Sequence, residues 1–207
     1  RKAAKAGGGT GKPCLSRYSA RMMESATSRL AAVNAEIARA CTLARRKPEE
    51  VTLVAVSKTH SAEDIAPLIQ AGHRVFGENR VQEAQTKWPA LLETTPDIQL
   101  HLVGSLQSNK AEDSVRLFDC IHSLDRPSLV TALAKAFDKV GRQIASFVQV
   151  DIGQEAQKGG CPIAALPALL AQARTAELPL AGLMCVPPAG LEPAPYFALL
   201  AKLADDH

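Results

Sequence analysis

The sequence has few aromatic residues, no long uncharged apolar run and no closely spaced cysteine pair. Phe, Trp and Tyr make up 4% of its 207 residues, which excludes a basic surface interleaved with aromatic side chains of the kind that binds nucleic acid. Its apolar runs fall short of the roughly 18 residues that a membrane span requires. We therefore expect a soluble, cytoplasmic protein that binds neither nucleic acid nor a membrane.

The cysteines are scattered, without a C-x-x-C pair or a histidine at zinc-binding spacing. This pattern is typical of reduced thiols in the cytosol and indicates neither a disulfide framework nor a metal site. No metal is therefore expected. The cysteines are Cys14, Cys41, Cys120, Cys161 and Cys185.

Acidic residues are missing from the beginning of the chain. Six of the 24 basic residues lie in 1–22, before the first of the 21 acidic residues, so the remainder has a net charge of −3. The segment is rich in Gly, Ala, Lys and Arg and has no apolar period, which predicts disorder. An organelle transit peptide and a translation start at Met22 or Met23 are alternative explanations. We divide the chain into a disordered basic segment, 1–22, and one domain, 23–207.

Beyond Met23, apolar residues first follow a helical period, which predicts a long helix that ends before Pro48. Repeated strand-helix units then predict a parallel sheet with helices outside it, either an open doubly wound sheet or part of an eight-stranded barrel. The predicted strands are 51–57, 74–77, 99–103, 119–123, 144–152 and 180–186. The predicted helices after the first are 62–71, 80–87, 109–117, 165–176 and 195–204. A further helix, between the fourth and fifth strands, is predicted to be capped by Asp125 and to end at Gly141.

Polar residues gather just after the predicted strands, and this favours the barrel. Lys58, Asn79 and Ser105 each follow a strand, and in a barrel such positions ring the mouth where active sites are built. Alternation along the first strand places Val54, Val56 and Lys58 on one face. Lys58 would then lie above a column of valines that faces the barrel interior.

Lys58 has the chemistry best suited to such a mouth. An amine that loses hydration on an apolar floor is neutral more often, and a neutral amine condenses with a carbonyl compound to form a Schiff base. The alternative is a lysine that ends a strand and extends into water.

Five short motifs occur in one order along the chain. In this order they resemble the pyridoxal phosphate homeostasis protein family, from about residue 23 to the last residue. The motifs are Ala-Val-Ser-Lys ending at Lys58, Phe-Gly-Glu-Asn-Arg-Val-Gln-Glu at 76–83, His-Leu-Val-Gly-Ser-Leu-Gln-Ser-Asn-Lys at 101–110, Glu155 followed by Lys158-Gly159, and Gly-Leu-Met-Cys-Val-Pro-Pro at 182–188.

The resemblance implies an α/β fold: a (β/α)8 barrel of the TIM-barrel type, similar to the N-terminal domain of alanine racemase, with an extra N-terminal helix. Lys58 matches the lysine that holds pyridoxal 5'-phosphate (PLP) as a Schiff base, and Asn79 matches an asparagine beside the cofactor. His101 and Met184 are further cofactor-binding candidates, with a place in the core as the alternative for each.

The family holds and delivers the cofactor and regulates its intracellular pool, without established catalytic turnover. The resemblance therefore implies a monomeric PLP carrier, with apo PLP-enzymes as partners, rather than an enzyme. The alternative is an amino-acid racemase of the alanine racemase fold. Racemisation there needs a second base opposite the lysine, a tyrosine from an additional domain, whereas Tyr18 and Tyr196 lie outside every matching motif.

The sequence departs from the family pattern after Leu191. The family continues with Ser-Met-Gly-Met-Ser and Val-Arg-Val-Gly segments, which supply the last two strands and most of the phosphate cup, and nothing in 191–207 matches them. We therefore expect a chain truncated at its C-terminus, with about six of the eight strands, open sheet edges and weak cofactor retention. Asp151 also stands where the family usually has asparagine.

Overall fold

The computed structural model describes residues 14–155 and 159–207, with side chains from residue 25 onward. These residues form two compact units, one of residues 14–52 with Glu63–His73 and one of Leu53–Ala62 with Arg74–His207. The first unit contains α1 (Cys14–Leu43), a 3-10 turn (Pro48–Glu50) and most of α2 (Ala62–Gln70).

Helix α1 begins inside the segment for which we predicted disorder. Leu, Arg, Ala and Met, which are frequent between residues 14 and 23, favour a helix intrinsically. The division of the chain at residue 22 stays a prediction. Residues 1–13 lie outside the part of the chain that the structure describes.

The second unit is built on a six-stranded parallel sheet whose strands follow one another in chain order. A doubly wound sheet reverses its strand order at a switch point, whereas a (β/α)8 barrel does not. The order therefore confirms the barrel type, with six strands in the described residues. The strands are β1 (Ala55–Val56), β2 (Val75–Glu78), β3 (Gln99–Leu102), β4 (Cys120–Leu124), β5 (Ala145–Gln149) and β6 (Leu180–Met184).

Helices follow the strands from β2 onward within this unit. They are α3 (Val81–Thr94), α4 (Ala111–Leu117), α5 (Pro127–Val140), α6 (Leu166–Thr175) and α7 (Ala194–Asp206), with 3-10 turns at Ser108–Lys110 and Ile163–Ala165. Helix α5 has the predicted ends, since Pro127 stands in its first turn and Gly141 follows it with a φ of 69°. Asp125 does not cap it: the N-cap is Arg126, and the Asp125 carboxylate pairs with that arginine instead.

One face of the sheet forms the core of this unit. Its side chains on β2 to β5 are buried, which is the environment that a parallel strand packed under helices requires. Helix α3 contributes a fully buried tryptophan, Trp88, whose ring centroid lies 5.1 Å from that of Phe76 on β2. The buried side chains of this face include Phe76, Leu100, Leu102, Ile121 and Val148.

The opposite face, which we call the inner face, contains Val54, Val56, Gly77, His101, Cys120, His122, Phe147, Gly182 and Met184. A Cβ atom built on Gly77 would lie 3.0 Å from Val54 Cγ1 and 3.4 Å from Val56 Cγ2, which confirms that the two valines share a face. The remaining members follow from the pairing of the strands. This face is more open than the core face, and Val56 is 48% exposed.

The boundaries of two elements differ from those predicted. Strand β1 has only Ala55 and Val56, because only these two residues pair with β2. Helix α3 runs through Pro89 to Thr94, past its predicted end at residue 87. The burial of Trp88 holds the chain helical across the proline, so tertiary packing prevails over local propensity.

Candidate functional site

The side chains predicted to form a site follow neighbouring strands at their carboxyl ends. Lys58 stands two residues beyond β1, and Asn79 comes directly after β2. Strands β1 and β2 are neighbours in the sheet, so the two residues lie at the carboxyl ends of adjacent parallel strands, Lys58 within the turn that follows β1. Their joint role in one site stays a prediction.

Lys58 is exposed, and the expectation of a buried, apolar floor beneath it is wrong. Strand β1 pairs on one side only, with β2, so its inner-face residues are open to solvent. The lysine is consequently accessible to a small molecule that approaches from solution.

Asn79 is held by the loop that follows β3. A Cβ atom on Gly104 would lie 2.3 Å from Asn79 O and 2.6 Å from Asn79 Cα, so the two backbones touch in a way that only glycine permits. The amides of Val103 and Gly104 both donate to Glu78 O, at 2.8 and 3.3 Å. These contacts fix the backbone of residues 78 and 79.

A polar cavity of about 800 Å³ opens between the loops that follow β2 and β3. Its lining includes Asn79 and two cationic side chains, Arg80 and Lys110, but not Lys58. The cavity is large enough for a small cofactor. The lining residues are Asn79, Arg80, Val81, Gln82, Glu83, Gly104, Ser105, Gln107 and Lys110.

His101 is hydrogen-bonded to a second histidine that sequence reasoning did not single out. Its Nδ1 lies 3.0 Å from His122 Nε2, and the His122 ring stacks on Phe147 with 4.7 Å between centroids. Burial lowers the pKa of His101; burial and the neighbouring His101 lower the pKa of His122 to about 4. Both rings are therefore neutral near pH 7. The pair lies on the inner face, with His101 on β3 and His122 on β4.

The thiol of Cys120 lies near this histidine pair. Its Sγ and one nitrogen from each ring lie within 4.8 Å of one another, a donor set whose composition suits zinc. The two ring nitrogens 3.0 Å apart share a hydrogen bond when one ring donates its N–H to the other. Burial raises the pKa of the Cys120 thiol to about 12, so it is protonated at neutral pH. The expectation of no metal stays a prediction.

Met184 ends β6 and is half-buried on the inner face, opposite Gln149 of β5. Strand β6 is a neighbour of neither β1 nor β2, the strands that Lys58 and Asn79 follow, so the place of Met184 beside a shared cofactor stays a prediction. Lys158, part of one family-like motif, lies outside the described residues. Within the described residues, no helix is both long and apolar enough to cross a bilayer.

The parallel strands in chain order, with polar groups at their carboxyl ends, define the class of the protein as that of the alanine racemase N-terminal domain. Residues 29–203 match the family model described as "Alanine racemase, N-terminal domain". Within this class the chain belongs to the pyridoxal phosphate homeostasis protein family. It is 38% identical over 179 residues to the pyridoxal phosphate homeostasis protein of Escherichia coli (strain K12), with 84% of this chain and 76% of that protein covered.

Solved structures agree with this assignment. PipY of Synechococcus elongatus PCC7942, solved with PLP bound, is 38% identical, with a TM-score of 0.71 and 82% of this chain and 80% of that chain covered. A histidine racemase from Leuconostoc mesenteroides is 16% identical, with a TM-score of 0.62 and 87% and 46% covered. The racemase shares the fold alone. These comparisons confirm the predicted family and fold.

Proposed function

We propose that this protein binds PLP as a Schiff base on Lys58 and serves intracellular PLP homeostasis as a carrier, without turnover of its own. The observation that carries the proposal is the position of an exposed primary amine just beyond the carboxyl end of β1, the strand that neighbours β2 and the Asn79 that follows it. Carboxyl ends of parallel strands are where barrel proteins build their sites. A related protein solved with PLP bound supports the choice of ligand.

The chemistry needs only the lysine and the aldehyde of the cofactor. The neutral Nζ of Lys58 donates its electron pair to the aldehyde carbon, a C=N bond forms, and the carbonyl oxygen leaves as water. Asn79, His101 and Met184 are the proposed neighbours of the cofactor. Apo PLP-enzymes are the proposed recipients, and a monomer is the proposed state of the carrier.

Reductive trapping tests the proposal directly. The protein is incubated with PLP and treated with borohydride, and the labelled peptide is located by mass spectrometry. We expect stoichiometric label on Lys58 and no label at that position in Lys58→Ala. Lys135→Ala is the matched control, because Lys135 is an exposed lysine on α5, and it should keep full labelling. Label spread over surface lysines, with Lys58 unlabelled, would reject the proposal.

The racemase alternative is separated from the carrier by proton exchange at the α-carbon of amino acids. With PLP added in deuterated water, a carrier leaves the α-proton in place apart from the slow background exchange that free PLP causes. Exchange that is sustained well above this background and disappears in Lys58→Ala would favour the racemase. Tyr196, which lies on α7, would then be the first residue to substitute as the second base.

A further inference from the structure

A buried ion pair lies behind the turn that contains Lys58. Lys87 of α3 and Glu78 at the end of β2 meet with 2.7 Å between Nζ and Oε1, and their side chains are 7% and 0% exposed. Burying two charges is unfavourable unless each is paired and hydrogen-bonded. The contacts made by this pair show what it holds in place.

The Lys87 ammonium reaches both ends of the turn from Ser57 to His60. Its Nζ donates to Ser57 O at 2.8 Å and to His60 O at 2.9 Å. These two carbonyls lie on either side of Lys58. One side chain of α3 therefore bridges the backbone before and after the proposed Schiff-base lysine.

Two carboxylates complete the attachment. Glu83 Oε1 accepts from the Thr59 amide at 2.6 Å and lies 3.2 Å from Lys87 Nζ. Ser57 Oγ donates to Glu78 Oε1 at 2.7 Å. Thr59 has a φ of 66°, a conformation that is uncommon outside glycine and is held here by its neighbours.

Lys58 itself makes no side-chain hydrogen bond or ion pair with any other residue in the described ranges 14–155 and 159–207. Its amine is therefore placed by the backbone of the turn and not by contacts of its own. A displacement of a reacting group by about 1 Å can cost up to about a hundredfold in rate. The attachment of the turn to α3 is thus the element that sets where the amine lies.

We propose that Lys87 and Glu83 are positioning residues, which hold the Ser57–His60 turn so that Lys58 meets the cofactor aldehyde. The inference rests on the function proposed above. Lys87 does not line the cavity described above, whereas Glu83 does. They act through the backbone on both sides of Lys58.

The charge pair is tested with a double variant, Glu78→Gln with Lys87→Met. Lys87→Met alone would leave Glu78 buried without its cation and destabilise the fold. The double variant puts two neutral side chains of similar size in place of the ion pair. It therefore removes the hydrogen bonds of Lys87 to the turn without leaving an unpaired buried charge. Glutamine at 78 still offers an oxygen to Ser57 and to Trp88, which donates to Glu78 Oε1 at 3.0 Å. The melting temperature and circular dichroism check that the variant is folded.

We expect the folded double variant to lose about tenfold in the rate of Lys58 labelling by PLP. Amide hydrogen exchange at Thr59 and His60 should rise without cofactor, while exchange in β3 and β4 stays as in the wild type. A purely structural role would raise exchange throughout the unit. Unchanged exchange in the turn, or a loosened turn with undiminished labelling, would overturn the inference.

Glu83 supplies a matched pair of variants on a partly exposed side chain. Glu83→Gln keeps an acceptor for the Thr59 amide and should retain nearly wild-type labelling, whereas Glu83→Ala removes it and should slow labelling severalfold. Equal labelling in the two variants would count against the role of Glu83. If PLP labels Lys58 in the wild-type protein and labels it at the same rate in the variants, only the positioning inference fails. If the wild type does not label Lys58, the proposed function fails and the inference falls with it.

Discussion

The histidine pair on the inner face is the residue-scale feature with the clearest pH dependence. His122 has its pKa lowered from 6.5 to about 4 by burial and by His101, so the folded state resists its protonation. The unfolded chain binds that proton at a higher pH. Between about pH 6.5 and pH 4 the unfolded state therefore holds more protons, and the free energy of unfolding falls as the pH is lowered through this window.

We predict that His122→Gln loses less stability on acidification than the wild type. Glutamine does not titrate, and its amide is able to replace the hydrogen bond to His101. The difference between pH 7 and pH 4 should be roughly 1–2 kcal/mol, below the full value of the pKa shift because the ring is partly exposed to screening solvent. Urea midpoints of both proteins at the two pH values measure it.

The control for this experiment is His207→Gln, since His207 is an exposed histidine. It should show the same acid sensitivity as the wild type, because carboxylates contribute equally to both proteins. An acid sensitivity of His122→Gln equal to that of His207→Gln would show that the histidine pair is not the group that titrates on unfolding.

At the scale of elements, the loops that follow β2 and β3 lie in direct backbone contact. We predict that Gly104→Ala destabilises the protein by about 1–3 kcal/mol and weakens PLP retention, because its Cβ would meet the Asn79 backbone, which has no room to move. Chemical denaturation and the PLP dissociation rate measure the two effects.

Gly77→Ala is the comparison, because the atoms nearest its Cβ belong to the Val54, Val103 and Val56 side chains, at 3.0 to 3.4 Å. Side chains shift more easily than backbone, so this variant should lose less of both stability and cofactor. If Gly77→Ala were the more damaged of the two, the loop contact would not be what fixes Asn79.

The same elements show what the sequence could and could not predict. The order of strands and helices was predictable, because the periods of apolar residues change from helical to alternating at each junction, and α5 has proline and glycine at its ends. The length of β1 was not, because a strand is defined by its partner and residues 51–54 make no ladder with β2. Local pattern cannot show which residues find a pairing edge.

The candidate site divides in the same way. Lys58 and Asn79 follow from motif and strand position, because they come just after two strands that are neighbours in the sheet. The attachment of the turn to Lys87 could not be predicted from the sequence. Lys87 is separated by 30 residues from Ser57, and its sequence context is that of any lysine on a helix. The His101–His122 bond joins residues 21 apart and depends on how β3 and β4 align.

At the scale of the whole molecule, the second unit exposes apolar side chains around both edges of its sheet. Strands β1 and β6 each pair on one side only. Val56 lies on the first edge strand, and Val186 follows the second; they are 48% and 50% exposed. Phe197 on α7 is 51% exposed. An unpaired edge beside apolar surface is a template for association with another chain.

We predict that the 207-residue protein, proposed above to be a monomer, stays monomeric only when dilute and self-associates as its concentration rises, and that Val186→Lys combined with Phe197→Lys suppresses this association. Charges beside the edge make the approach of a second chain unfavourable by repulsion and by the cost of desolvating each ammonium. Val33→Lys is the matched control, because Val33 is 44% exposed but belongs to α1 in the other unit, and it should associate like the wild type. Sedimentation velocity over a wide concentration range measures the effect. A wild-type protein that stays monomeric and melts cooperatively throughout that range would contradict the prediction and show that the two edge strands are protected.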